Sequence, residues 1–147
     1  FDRTLLRTFK TRHTQFLLFY LCSLDPSSSD HFIGVLLGRA LFETEAPAVT
    51  RVAAAGYVAS FISRAKFVDR AMTQKVVRLL CEYLETQMNA NSAANSRSNS
   101  SRNLNGISNG TSNSSNNGQD HLPVFYAVAQ AIFYIFCFRW RDLLDDG

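Results

Sequence analysis

The chain has 147 residues, of which 46% are hydrophobic and 12% aromatic, so it is long and apolar enough to form one domain with a sizeable core. Its net charge of +3 is mild, and the sequence lacks the dense basic stripe that is typical of nucleic-acid binding. Cys22, Cys81 and Cys137 are odd in number and widely spaced, which argues against a disulfide framework or a zinc site and favours reduced thiols in a cytosolic or nuclear protein.

The first two predicted helices form a hairpin. The first helix covers about residues 11–24. Its predicted packing stripe consists of large apolar side chains: Phe16, Leu17, Tyr20, Leu21 and Leu24. Pro26 ends it, because proline cannot continue the hydrogen-bond ladder. Ser29 or Asp30 is then expected to cap a second helix that extends to about residue 43.

The third predicted helix, over about residues 47–65, is the most informative segment. Pro47 suits its first turn. Two faces repeat apolar residues at helical spacing: Ala48, Val52, Ala55, Ala59 and Ile62 on one, and Ala54, Val58, Phe61 and Ala65 on the other. A helix with two apolar faces is buried between neighbours. Gly56 should cost about 1 kcal/mol relative to alanine, which predicts a close helix–helix approach as compensation.

A fourth helix, which we expect Thr73 to cap, reaches about residue 88. Its predicted buried positions are Val76, Val77, Leu80, Tyr83, Leu84 and Met88. The composition changes after it, because positions 89 to 119 hold ten asparagines and nine serines. Such a segment buries too little apolar area to offset its ordering entropy, so residues 91–121 are predicted to form a disordered, low-complexity tether.

The last predicted helix, residues 122–144, is almost continuously apolar from position 124 to position 138. Fifteen residues of helix rise about 22 Å, which is short of a hydrocarbon core of roughly 30 Å. The sequence therefore favours a core helix over a transmembrane one, and a buried strand at 132–138 is a weaker rival.

The spacing of these elements predicts an all-α fold of the HEAT-like, α-solenoid type, built from antiparallel helix hairpins. The second hairpin follows the first by about 36 to 40 residues, which is close to the period of HEAT or armadillo repeats. We expect two helix pairs in 1–90, the tether in 91–121, and the first helix of a further repeat in 122–147. Phe1, in place of methionine, indicates a fragment of something longer.

The residue types that enzymes need do not form a recognisable pattern. The three histidines have no metal-ligand spacing, and no glycine-rich loop follows a strand. We therefore predict no catalytic, metal or cofactor site and no small-molecule ligand. Helical arrays act by contact, and arginine and tryptophan are enriched at interface hot spots. The predicted partner-binding residues are Arg64, Lys66, Arg70, Arg139, Trp140 and Arg141.

Three segments resemble the RNA polymerase I-specific transcription initiation factor family, of the TIF-IA type. They are residues 16–23 (FLLFYLCS), residues 54–67 (AAGYVASFISRAKF) and residues 125–134 (FYAVAQAIFY), with Phe138 and Arg139 behind the last. The middle segment is the most specific, since generic HEAT repeats do not share it. The chain departs from the family in its Asn/Ser tract.

This resemblance implies an all-helical, nuclear and largely nucleolar adaptor. Such an adaptor would bind RNA polymerase I near its stalk and dock it to the promoter-bound core factor, so that ribosomal RNA genes are transcribed. Direct DNA binding is expected to be weak or absent. Two alternatives stay open: a helical-repeat scaffold or transport adaptor without a link to transcription, and a membrane-associated protein that uses residues 124–138.

Overall fold

A computed structural model describes residues 12–100 and 117–144, and these residues form helices and short connections without a strand. The helices are α1 (Arg12–Ser23), α2 (Pro26–Leu37), a π-helical turn (Gly38–Phe42), α3 (Ala48–Arg64), α4 (Arg70–Ser100) and α5 (Asn117–Leu144). The prediction of an all-α fold is confirmed, and the strand considered for residues 132–138 is wrong.

Asp25 caps the N-terminus of α2, so the prediction of Ser29 or Asp30 as the cap is wrong. The Asp25 carboxylate accepts hydrogen bonds from the Ser28 hydroxyl at 2.8 Å and from the Ser27 and Ser28 amides. These hydrogen bonds lower the pKa of Asp25, and the bond from the Ser28 hydroxyl has the largest effect. Pro26 follows at the first helical position, where its missing N–H does no harm.

The packing face of α1 differs from the predicted stripe. All five residues of that stripe are exposed: Phe16, Leu17, Tyr20, Leu21 and Leu24. The buried residues are Phe19 and Cys22, and the Phe19 ring lies edge-on against Phe61 with 4.9 Å between centroids. Ser29 is also buried, and its hydroxyl donates to the Cys22 carbonyl at 2.7 Å, which fixes this face of α1 against α2.

Helix α3 lies at the centre of the core, as its two apolar faces predicted. Its largest fully buried side chains are Tyr57, Val58, Phe61 and Ile62. It packs against α2 and the π-helical turn on one side and most extensively against α5 on the other. Gly56 is half-buried and is one of the residues that line a groove between α3 and α5.

Helix α4 is capped by Asp69, and the prediction of Thr73 as the cap is wrong. An Asp69 carboxylate oxygen accepts from the Met72 amide at 2.8 Å, whereas Thr73 is buried and donates its hydroxyl to the Asp69 carbonyl at 3.0 Å. The helix continues to Ser100, so the predicted start of the tether at residue 91 lies inside α4. Residues 101–116 of the predicted tether lie outside the described residues, and the division into domains stays a prediction.

Helix α5 buries one narrow stripe, which consists of Val124, Val128, Ala131 and Ile135. The rest of its surface exposes large apolar side chains: Leu122, Tyr126, Phe133, Phe136, Phe138, Trp140 and Leu144. By length and composition, residues 121–144 are sufficient to cross a membrane, and only 22% of their most apolar window is buried. Helix α5 is longer than the apolar run at 124–138, so its length does not exclude a membrane span.

Candidate interaction surface

Arg139 is held inside the fold by acceptors at the end of α3, in the connection that follows it and on α4. Its side chain is 10% exposed, and it donates to the carbonyls of Ala65 at 3.0 Å and Val68 at 2.8 Å. It also donates to the Thr73 hydroxyl at 3.2 Å and pairs with the Asp142 carboxylate. A helix C-terminus carries unsatisfied carbonyls and partial negative charge, so this cation caps α3.

The backbone of α5 bends at Arg139, where φ is −125° and ψ is 22°. This departure from helical geometry occurs where the guanidinium turns inward to reach α3. Sequence reasoning placed Arg139 on a partner-binding surface, but the structure uses its hydrogen-bonding capacity for the fold. The neighbouring Trp140 and Arg141 remain exposed.

A second buried arginine, Arg51, was missed by sequence reasoning. It is 3% exposed and donates to the carbonyls of Ala40 at 3.2 Å and Leu41 at 3.4 Å, at the end of the π-helical turn. Its third partner is the Tyr83 hydroxyl of α4 at 3.2 Å. The available signal was a charged residue next to Val52 inside an apolar pattern, but a solvated arginine gives the same pattern.

The C-terminal end of α5 receives donors from α4. Arg70 Nε and the Gln74 side-chain amide both donate to the Asp142 carbonyl, at 3.1 and 3.0 Å. Three helical ends are therefore capped by side chains of another helix. The ends of α3 and α5 meet at this point, close to five of the six residues that the sequence predicted for partner binding.

Five of the six predicted residues surround one open cavity of about 570 Å³, which we call the basic cleft. Its lining residues are Lys66, Val68, Asp69, Arg70, Phe138, Arg139, Trp140, Arg141 and Asp142. The Arg141 guanidinium lies 5.3 Å from the centroid of the Trp140 ring, within the range of a cation–π contact. Lys66 and Arg141 are exposed, so the cleft offers accessible cations beside an aromatic surface.

The two carboxylates of the basic cleft offset half of the charge of its four cations, which leaves a net charge of +2. Asp142 pairs with Arg139, and Asp69 caps α4. In the part of the chain that the structure describes, no carboxylate lies within 4 Å of Lys66, Arg70 or Arg141. The surface therefore favours a partner that carries negative charge, and the aromatic ring adds a site for apolar contact.

Arg64, the sixth predicted residue, lies apart from the basic cleft. Its guanidinium donates to the Tyr134 hydroxyl at 3.1 Å and to Ser60, and lies about 6 Å from the rings of Phe16 and Tyr134. It faces the groove between α3 and α5. The structure thus divides the predicted set into two places. Among residues 12–100 and 117–144, no three His, Cys, Asp or Glu side chains are grouped to hold a metal ion.

Comparison with known proteins gives a consistent set of matches. A family model described as "RNA polymerase I specific transcription initiation factor RRN3" matches residues 1–147. The chain is 34% identical over 143 residues to RNA polymerase I-specific transcription initiation factor rrn3 of Schizosaccharomyces pombe, 31% identical over 147 residues to the mouse factor of that name, and 26% identical over 148 residues to that of Saccharomyces cerevisiae.

These matches cover 97–100% of the chain but only 20–21% of each relative, so the chain spans about a fifth of their length. The names of the relatives are those of transcription initiation factors and not of enzymes. No solved structure matches the chain significantly.

Proposed function

The chain belongs to the RNA polymerase I-specific transcription initiation factor RRN3 family, and from this premise we propose that it is part of an adaptor that binds RNA polymerase I and bridges it to the promoter-bound core factor. The observation that carries this proposal is the family match over residues 1–147. The adaptor would serve ribosomal RNA gene transcription in the nucleus and nucleolus. It acts by protein–protein contact, and the exposed charges of Lys66 and Arg141 on a helical scaffold agree with this.

The helices are proposed to form a HEAT-like solenoid. Val52, at the start of α3, shares a cavity with Pro123 of α5, and Arg139 reaches the end of α3, so the two helices run parallel. Helix α4 runs antiparallel to both, since Arg70 at its start meets the end of α5. Successive helix pairs of a solenoid produce this arrangement, in which two parallel helices are separated in the sequence by an antiparallel one. In this proposal α5 begins a third pair.

The basic cleft is the proposed contact with the stalk region of the polymerase. It joins two sequence segments about 70 residues apart, and it presents Lys66, Arg141 and the Trp140 ring together. Aromatic and arginine side chains at the centre of an interface commonly contribute most of its binding energy. Direct DNA binding is proposed to be weak, because the net charge of +3 is small for a protein that must neutralise several phosphates.

The adaptor proposal is tested by purifying the tagged protein from nuclear extract and measuring recovery of polymerase I stalk subunits. Lys66→Glu with Arg141→Glu should reduce that recovery by at least tenfold. Arg78→Glu with Lys75→Glu is the matched control, because these charges lie on the solvent side of α4. Consistent absence of the polymerase from the wild-type sample would refute the adaptor and favour a scaffold unrelated to transcription. Equal recovery of the stalk subunits with the cleft variant and with the control variant would refute the role of the basic cleft but not the adaptor function.

Helix α5 is proposed to be a core helix and not a membrane span. Its buried stripe packs against α3 and α4, and Arg139 near its end is committed to hydrogen bonds with α3. A helix that left this core would expose unsatisfied carbonyls and separate Arg139 from its acceptors. Carbonate extraction should release the protein fully into the soluble fraction. Retention in the pellet would refute this assignment.

A further inference from the structure

A long groove runs between α3 and α5, on a different face from the basic cleft. It consists of two adjoining cavities of about 840 and 440 Å³, which share the residues Val52, Ala127, Gln130 and Phe133. Along α5 it extends from Pro123 to Cys137, and a rise of 1.5 Å per residue makes it about 21 Å long. We call it the α3–α5 groove. Its length is that of about four turns of helix.

The floor and the rim of the α3–α5 groove differ in a way that suits an apolar occupant. The floor is made by half-buried or buried side chains, among them Val52, Ala59 and Ala131. The rim carries Tyr126 and Phe133, which are 64% and 70% exposed. Large aromatic side chains that are exposed beside a concave apolar surface are typical of a protein interaction site.

Arg64 gives one end of the groove a positive charge. In the described part of the chain, no carboxylate lies within 4 Å of this guanidinium. Contacts with Tyr134, Phe16 and Ser60 hold it at the groove, so little side-chain entropy is lost when it binds an anion. The charge is complementary to a carboxylate on the occupant.

We propose that the α3–α5 groove binds an amphipathic α-helix of a partner protein, about four turns long, with an apolar stripe on the groove floor and an acidic residue beside Arg64. An extended peptide is disfavoured because both walls are helices whose backbone groups are already paired, whereas a bound helix satisfies its own backbone. This inference goes beyond the adaptor function proposed above and does not depend on it.

The test uses Cys137, which is exposed and lines the groove, as a reporter in the full chain. The probes are two 16-residue amidated peptides of alanine, glutamine and lysine, with leucines at i, i+4, i+7 and i+11 and one glutamate in the first or the last turn. Mass spectrometry follows N-ethylmaleimide labelling of each cysteine. One peptide should slow labelling of Cys137 at least fivefold and leave Cys81, which lies on α4, unchanged.

Variants locate the effect in the groove. Arg64→Glu should abolish the protection by the glutamate peptide, and a peptide with lysine in place of that glutamate should protect the Arg64→Glu variant instead. Arg78→Glu is the charge-matched control and should behave as wild type. Circular dichroism must show unchanged helicity for each variant.

Three results would overturn the proposal. The first is the absence of protection at saturating concentrations of both peptides. The second is protection that does not depend on the charge at residue 64. The third is protection of Cys137 by vesicles of phosphatidylcholine and phosphatidylserine, or by a higher concentration of the protein itself, in the absence of peptide; this would assign the groove to a lipid surface or to a second copy of the chain.

Discussion

Replacement of Arg139 by alanine is expected to lower the free energy of unfolding by about 3–5 kcal/mol. The substitution removes a cation that donates to the carbonyls of Ala65 and Val68 and to the Thr73 hydroxyl, and that pairs with the Asp142 carboxylate. The Ala65 carbonyl keeps its hydrogen bond from the Val68 amide and the Thr73 hydroxyl keeps its bond to the Asp69 carbonyl, whereas the bond from the guanidinium to each acceptor is lost.

The magnitude follows from the two shortest carbonyl contacts, at 2.8 and 3.0 Å. A hydrogen bond from a charged donor contributes about 1.5–3 kcal/mol, so these two sum to about 3–6 kcal/mol. The Asp142 side chain is 35% exposed and recovers hydration when it loses its partner, which limits its share of the cost. The lower part of the range is therefore expected. It corresponds to a fall in Tm of about 10 °C for a chain of this size.

The assay is urea unfolding followed by far-UV circular dichroism, with the slope of free energy against urea compared among the variants. Arg139→Lys should lose about 2–3 kcal/mol, because an ammonium group cannot reach acceptors on both sides of a planar guanidinium. Arg141→Ala is the control, since its side chain is exposed, and it should stay within about 0.5 kcal/mol of wild type. A loss below about 1 kcal/mol for Arg139→Ala would refute the role of this residue as the cap of α3.

Three further outcomes are expected. Gly56→Ala should raise the free energy of unfolding by about 0.5–1 kcal/mol in urea titrations, because Gly56 lines a groove and alanine favours the helix; destabilisation would show that the added methyl group meets a neighbouring atom. Phe19→Ala should cost about 3–5 kcal/mol and Leu17→Ala less than about 1 kcal/mol, and the reverse order would restore the stripe predicted for α1. Burial raises the pKa of the Cys22 thiol and of the Tyr57 hydroxyl, so the unfolded state releases these protons at lower pH than the folded state. The free energy of unfolding should therefore fall as the pH rises above about 9, and Tyr57→Phe should reduce this loss between about pH 9 and 11. An unchanged dependence of stability on pH in Tyr57→Phe would contradict the raised pKa of Tyr57.

The comparison of α3 with α1 shows what a helical pattern can predict. In α3, Val58, Phe61 and Ile62 lie on the two faces that the apolar spacing identifies, and all three are buried; Tyr57 is also buried but belongs to neither predicted face. In α1 every residue from 16 to 22 is apolar, so each face satisfies the same spacing. The choice is made by tertiary contacts of Phe19 with Phe32 and Phe61, which the sequence of α1 does not contain.

The candidate site shows a similar limit. Residue type alone selected five side chains that do meet at the basic cleft, although they come from two distant segments. Residue type could not separate Arg139 from Arg141, because the difference is which side chain faces the carbonyl end of α3. Arg51 was overlooked for the same physical reason: a capping arginine is recognised by the helix end it approaches.

The cap of α3 also has a consequence for the order of events during synthesis. Arg139 lies 71 residues after Val68, whose carbonyl it binds. At a translation rate of about 5–20 residues per second, about 4–14 s pass between the two. For that time water must solvate the last carbonyls of α3, and the side of α3 that α5 covers has no neighbour from later in the chain. The nascent protein therefore passes through a period of several seconds in which its central helix is already made but not yet enclosed by α5.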